Sequence, residues 1–395
     1  MEYNAALERR YFVLVIVITA TVSFILSNLD FPPISKLVTD QFGLSNAQTG
    51  LVTTFYFIPY ASMQIPGGYL ADRFGSARTL LVASFIMALA PLLFLTGGSF
   101  NAILTSRFIA GASGGIVFPS IVRLLSQWFP RSELGKAMGV FGSANGAGQL
   151  VASSLLPLLI SGVNWKPPLL ATTLYSIVVS FLLMFPAVWT TTSISGTLAR
   201  QKVWLRGLFT RNMFALMLPN FASVAVTYGS FAWASDYLIS TFKVSNSTAG
   251  GIVALIGVAT IIGSYSGGIS DRRLGSRKTI GVSMVLLFLF TLLFGISRSL
   301  DASIVSIFGI GFGANLYFAT DFSLIPYASR QGVSAAGMTF GVFNTLSNVG
   351  SIVSPVLFGI ILDRTGSFSL GFGALAFVAL IGLAGAFLLS LDSLK

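Results

Sequence analysis

The chain reads as a succession of apolar runs, each about long enough to cross a bilayer, parted by short polar breaks. A bilayer core takes about 20 helical residues. The runs fall at 11–29, 46–70, 77–97, 101–124, 137–161, 168–189, 212–239, 247–270, 278–297, 302–326, 336–361 and 369–391. Most are too long for strands and too apolar for the alternation of a barrel. The pattern predicts an all-α polytopic membrane protein with twelve transmembrane helices. Twelve spans use roughly 240 residues, leaving short loops and no large soluble domain. Pro59, Pro219 and Pro355 fall inside runs, where neighbouring helices can re-satisfy the freed backbone groups. The first run follows Arg9 and Arg10 and leads into Asn28, Asp30 and Pro32-Pro33 without a small-residue cleavage site. It reads as a retained span rather than a signal peptide.

Composition agrees: only 9% of residues are charged and mean hydropathy is +0.85, against about 25% charged in soluble domains. The chain has no Cys and no His. Disulfides, thiol nucleophiles, iron–sulfur clusters, His-ligated haem and most zinc sites are therefore excluded. An enzyme is not expected, because a clustered catalytic constellation is missing. No metal and no cofactor is expected, and proton coupling would have to run through carboxylates.

The net charge of +11 suggests nucleic acid until the charges are placed. With the N-terminus in the cytoplasm, 17 of the 23 basic residues fall on that side, five on the other, and Arg107 inside a span. That asymmetry is the positive-inside rule, and it removes nucleic acid as a partner. It also puts both termini in the cytoplasm. The longest cytoplasmic connection, 190–211, separates an N-terminal six-helix bundle, 1–189, from a C-terminal one, 212–395.

The two halves repeat each other. Phe42-Gly43-Leu44-Ser45-Asn46 is matched by Phe242-Lys243-Val244-Ser245-Asn246, Gly67-Gly68 by Gly267-Gly268, and Gly75-Ser76 by Gly275-Ser276. The offset is 200 throughout (267 − 67); only the acid slips, from Asp72 to Asp271. Both Asp-Arg segments lie on one side, so the repeats run parallel. Ser45 with Gln48 fits a capping box opening the second span.

Gly67-Gly68-Tyr69-Leu70-Ala71-Asp72-Arg73-Phe74-Gly75-Ser76-Ala77-Arg78 resembles the signature loop of the major facilitator superfamily, and 268–278 its degenerate copy. Arg107-Phe108-Ile109-Ala110-Gly111 resembles the fourth-helix motif. Segments 128–137 and 362–367 resemble the loops before helix 5 and after helix 11. The resemblance covers essentially the whole chain and is closest in character to organic-anion:proton symporters. It implies a rocker-switch secondary transporter with a site between two bundles. It also implies that Asp72 pairs across the bundle interface with a helix N-terminus and basic partners, gating transport. Arg73, Arg78, Asp271 and Arg272 belong to the same gating set.

Individual residues suggest the rest. Arg107, a guanidinium within a span, needs a partner; it fits an anionic substrate or a coupling carboxylate, against the alternative of snorkelling to headgroups. Asp321, in span 10 before Pro326, is the candidate proton carrier, with Asp236 second; a structural hydrogen bond is the alternative. Asn28, Tyr228, Asn315 and Tyr317, with Asn145 and Gln149 on span 5 and Asn344 and Asn348 on span 11, are candidate substrate contacts or interhelical glue. Tyr56 and Tyr60 carry a weaker claim. The Arg pairs of nitrate porters and organophosphate exchangers are absent, as is the Gly-Pro element of many drug exporters. So is the Asp-Arg pair that organic-anion symporters carry on helix 1; Asp30 is placed too near the outer surface to serve.

The expectation is proton-coupled symport of a small organic solute, a monoanion, across the cytoplasmic membrane by a monomer. The alternative is a proton-coupled exporter of drugs or metabolites.

Overall fold

The computed structural model describes residues 2–129, 131–185, 210–328 and 336–390. Pro130, most of the expected 190–211 linker and the basic residues Arg200, Lys202, Arg206 and Arg330 lie outside them. The described residues are helical almost throughout. In the first half α1 is Glu2–Leu29, α2 Ser35–Phe42, α3 Asn46–Phe74, α4 Ser76–Thr96, α5 Phe100–Trp128, α6 Arg131–Leu155 and α7 Lys166–Leu182. In the second, α8 is Arg211–Phe242, α9 Asn246–Val253, α10 Leu255–Leu274, α11 Ser276–Ile296 and α12 Leu300–Leu316. The remainder are α13 Phe318–Ala328, α14 Ala336–Ser347, α15 Val349–Thr365 and α16 Phe368–Leu388.

Eight of the described spans are long and apolar enough to cross a membrane, and Lys166–Leu182 and Leu300–Leu316 are shorter apolar helices. Large apolar side chains such as Val82, Phe85, Leu174, Phe181, Phe377 and Phe387 stay exposed along these helices. Such patches are far too extensive for a water-facing surface.

One end of the molecule carries Asp72, Arg73, Arg78, Arg123, Arg211, Arg272 and Arg277 and is called the arginine-rich end here. At the opposite, far end, helices begin on serine caps. Ser45, Ser99, Ser245, Ser299 and Ser367 each accept from a backbone N–H three residues on, satisfying groups that would otherwise be unpaired. Ser45 forms the predicted box, its own N–H donating to Gln48 Oε1 at 2.9 Å.

The 200-residue repeat extends to the backbone. Gly43 and Lys243 both end helices in the left-handed region, with φ 62° and 57°. Gly75 and Gly275 have φ 91° and 82°; each is the whole connection between two long helices. The signature segment is therefore mostly helix, running to Phe74 before a one-residue elbow, rather than the loop expected. Close helix crossings repeat too. A Cβ on Gly67 would lie 2.7 Å from Ile116 Cα, and one on Gly267 2.0 Å from Leu316 O.

The repeat is not perfect. Spans 8, 10 and 11 are each irregular at one residue, Ala254, Tyr317 and Asn348, where the backbone stays in the right-handed helical region. All three residues belong to the second half.

The halves meet along two seams, α3 against α14 and α15, and α6 against α9 and α10. At the far end both are backbone-tight: a Cβ on Gly50 would lie 2.4 Å from Pro355 O, and one on Gly250 2.4 Å from Ser153 O. Toward the arginine-rich end the second seam opens. A Cβ on Gly146 would meet Ile261 at 2.5 Å, whereas Gly142 and Gly139 have nothing within 4 Å.

Candidate functional site

The most deeply placed charges are Arg107 and Asp30, each 2% exposed. Local sequence brings them together. Chain exit from α1 at Leu29 runs through Asp30 into a 3-10 turn, Pro32–Ile34, whose proline suits a first helical turn. Phe31, Ile34, Phe94 and Trp165 form a separate apolar cluster that holds this fold-back inside. Arg107 is fixed on α5, where Ser106 donates to Ala90 O at 2.7 Å. Its Nη1 donates to Asp30 Oδ1 at 2.5 Å and to Ser27 O at 3.0 Å, and its Nη2 to Asn28 O at 3.0 Å. The guanidinium thus neutralises one carboxylate and caps the last carbonyls of α1. Its Cζ lies 4.7 Å from the Tyr56 ring centroid, a cation–π distance. Arg107 does not snorkel, and Asp30 is not a surface loop acid. Asp30 and Arg107 thus form an Asp–Arg pair from two different elements.

Toward the middle, aromatic rings gather between the halves. Tyr56 stacks with Tyr60 at 6.2 Å, Tyr60 with Phe24 at 5.6 Å, and Phe57 meets Tyr228 of the other half at 4.5 Å. Asn28 stands beside them, its buried amide next to the buried Tyr56 hydroxyl.

The remaining amides mostly bridge helices. Asn344 Nδ2 donates to Gln64 Oε1 at 2.6 Å across the interface, and Asn348 Nδ2 to Asn344 O at 2.7 Å. Thr260 donates to Gln149 Oε1 at 3.2 Å, also between halves, and receives Asn315 Nδ2 at 3.0 Å. Asn145 bonds its own helix at Phe141 O, 3.1 Å. Tyr317 donates to Asn220 Oδ1 at 2.9 Å. Gln64, Thr260 and Asn220 were not singled out by sequence, because one amide or hydroxyl in an apolar run carries no charge to mark it.

Asp321 is buried in α13, and neither carboxylate oxygen has a hydrogen-bond partner among the described residues. It does not share a site with Arg107. Arg107 lies seven residues from the far-end start of α5 and Asp321 twenty-one from that of α12. At 1.5 Å per residue their depths differ by about 20 Å. Asp236 is at the far end, where Ser35 of the other half donates to it at 3.1 and 3.2 Å.

At the arginine-rich end, exposed Asp72 pairs with Arg123 at 3.0 Å. This partner is on α5 of the same half; the cross-interface pairing that the resemblance implies belongs to an outward-facing state, and here the second seam is open toward this end. Arg73 donates to the Tyr69 hydroxyl at 3.1 Å. Arg78 and Arg272 are exposed and Asp271 half-buried.

These features define a helical membrane transporter built as a parallel repeat. The family model of the Major Facilitator Superfamily matches residues 12–355. The chain belongs to this superfamily and is an integral multi-pass protein of the cytoplasmic membrane. It is 26% identical over 368 residues to the probable sulfoacetate transporter SauU of Cupriavidus necator, covering 86% of this chain and 84% of that one. It is 26% identical over 383 residues, with the same coverages, to the probable galactarate/D-glucarate transporter GudP of Escherichia coli. Its fold matches a crystal structure of a bacterial homologue of the human lysosomal transporter Spinster, inward-facing and unoccupied. The TM-score is 0.73 at 17% identity, covering 98% of this chain and 95% of the other.

Proposed function

We propose that the protein is a proton-coupled symporter of a small organic monoanion, and not an enzyme. It would have twelve spans and cytoplasmic termini, with bundles 1–189 and 212–395 joined by the 190–211 linker. The bundles rock about a central site, as one monomer in the bilayer. It uses no cofactor and no nucleic-acid partner and draws on an ion gradient. The relatives named for sulfoacetate and for galactarate or D-glucarate support an organic-anion substrate.

The observation that carries the reading is the Asp30–Arg107 pair. A charge stranded in low dielectric is costly, so neither member changes state alone. A proton on Asp30 neutralises the carboxylate and leaves the guanidinium in need of an anion. A substrate carboxylate or sulfonate supplies it, beside Asn28 and the tyrosines. Release of the anion restores the pair only once Asp30 gives up the proton. Proton and monoanion therefore move together with no net charge. Tyr228, Asn344, Asn348, Gln149, Asn145, Asn315 and Tyr317 complete the candidate substrate lining. Asp321 and Asp236 are further candidate proton carriers, and Asp72, Arg73, Arg78, Asp271 and Arg272 the candidate gate of the arginine-rich end.

The test is uptake into proteoliposomes of small sulfonates and carboxylates under an imposed pH gradient. Uptake should rise as the outside is acidified, and Asp30→Asn should abolish that response. Uptake indifferent to the gradient, or expulsion of cationic dyes instead, would favour the exporter alternative.

A further inference from the structure

The device that the family resemblance assigns to Asp72, an acid on the start of a helix in the opposite half, is present at the other end of the molecule. Asp363 lies near the C-terminal end of α15, in the second half. Its Oδ1 accepts from Asn46 N at 2.9 Å and Asn46 Nδ2 at 2.8 Å, and its Oδ2 from Ala47 N at 2.8 Å. Asn46 and Ala47 are the first residues of α3, in the first half. Those N–H groups have no partner within their own helix, and the positive end of the helix dipole favours a carboxylate there. Backbone packing holds the two ends in register: a Cβ on Gly359 would lie 2.3 Å from Asn46 O. A second carboxylate of the second half, Asp236, receives Ser35 at the same end. Next to Asp236 lies a small cavity shared by both halves, lined by Leu29, Pro32 and Ser153 on one side and Phe231, Ser235 and Val253 on the other.

We propose that Asp363, with Asp236 in support, is a latch that clips the halves together at the far end and must release before that end can open. The latch is one-sided. The position 200 residues before Asp363 is Val163, so the repeat supplies no second copy. Both acids come from the second half, and both of their partners sit on the first. Charge-assisted bonds of this kind are the stronger class, yet three of them at a water-facing edge are few enough to break in each cycle.

The proposal rests on the alternating-access reading but not on substrate or proton, and its readout uses neither. The chain contains no cysteine, so Ser235→Cys gives a single reporter in the far-end cavity between the halves. In intact cells a membrane-impermeant maleimide reads its exposure, with Val163→Cys, on an exposed far-end loop, as the control that this end faces outward. Asp363→Asn removes the charge. Asn46→Pro removes two of the three bonds while suiting the first helical position, and so serves if the first variant fails to reach the membrane. Each should speed labelling of Ser235→Cys by roughly tenfold or more, the lower bound for losing one hydrogen bond to a charged group. Labelling of Ser235→Cys unchanged in both variants, with the control still labelled, overturns the latch; an unlabelled control overturns the outward-facing assignment of this end.

Discussion

The two ionised groups at Arg107 and Asp30 fix the chemistry of the centre, and they support each other. Removing one member of a buried pair leaves the other uncompensated, at about 3–5 kcal/mol. Asp30→Asn should therefore lower the thermal midpoint of the purified protein sharply. Asp30→Asn combined with Arg107→Gln should recover most of that loss while proton-driven uptake stays absent. Melting curves and uptake on the same preparations separate structural from coupling roles; a double variant as unstable as the single would show that the pair is not acting as a unit. Arg107 was legible in the sequence because a charge within an apolar run is conspicuous. Asp30 was not, because it follows the last turn of α1 and precedes two prolines, the signature of a surface loop. Only the burial of Phe31 and Ile34 shows that this loop turns inward.

Helices pack here through glycines that repeat at a fixed offset. The α3–α5 crossing at Gly67 and the α10–α12 crossing at Gly267 are copies, both with backbone or proline atoms too close for a side chain. Gly67→Leu and Gly267→Leu should each destabilise by about 1–3 kcal/mol through overpacking. Gly139→Leu, at a position with open space, should leave the melting temperature nearly unchanged. Fluorescence-detected melting of the three variants checks the contrast. At this scale the sequence was highly informative, since glycine blocks and serine caps are local signals. The one-residue irregularities at Tyr317 and Asn348, where the backbone stays helical, were hidden, because no proline or glycine occupies either place to announce them.

For the whole molecule, the split of basic residues argues for an orientation that the helices alone do not determine. A reporter active only in the cytoplasm should be active when fused after Lys395, and silent when inserted at Val163 in the far-end loop. The opposite result would invert the topology, and with it the face that the latch closes. That the chain has two related halves was foreseeable from the repeat. How they meet was not, because seams such as Gln64 on Asn344 and Thr260 on Gln149 join residues more than 100 positions apart. Such contacts leave no trace in local pattern.

The helices of the second half pass through Ala254, Tyr317 and Asn348 without leaving the helical region, and Ala254 N still donates to Gly250 O at 2.8 Å and Asn348 N to Asn344 O at 3.0 Å. A rod that does not fold transmits displacement along its whole length. A contact made or broken at the far end of such a helix would then be felt at the arginine-rich end, and the glycine crossings at Gly50 and Gly250, too tight for a side chain, would serve as the fulcrum.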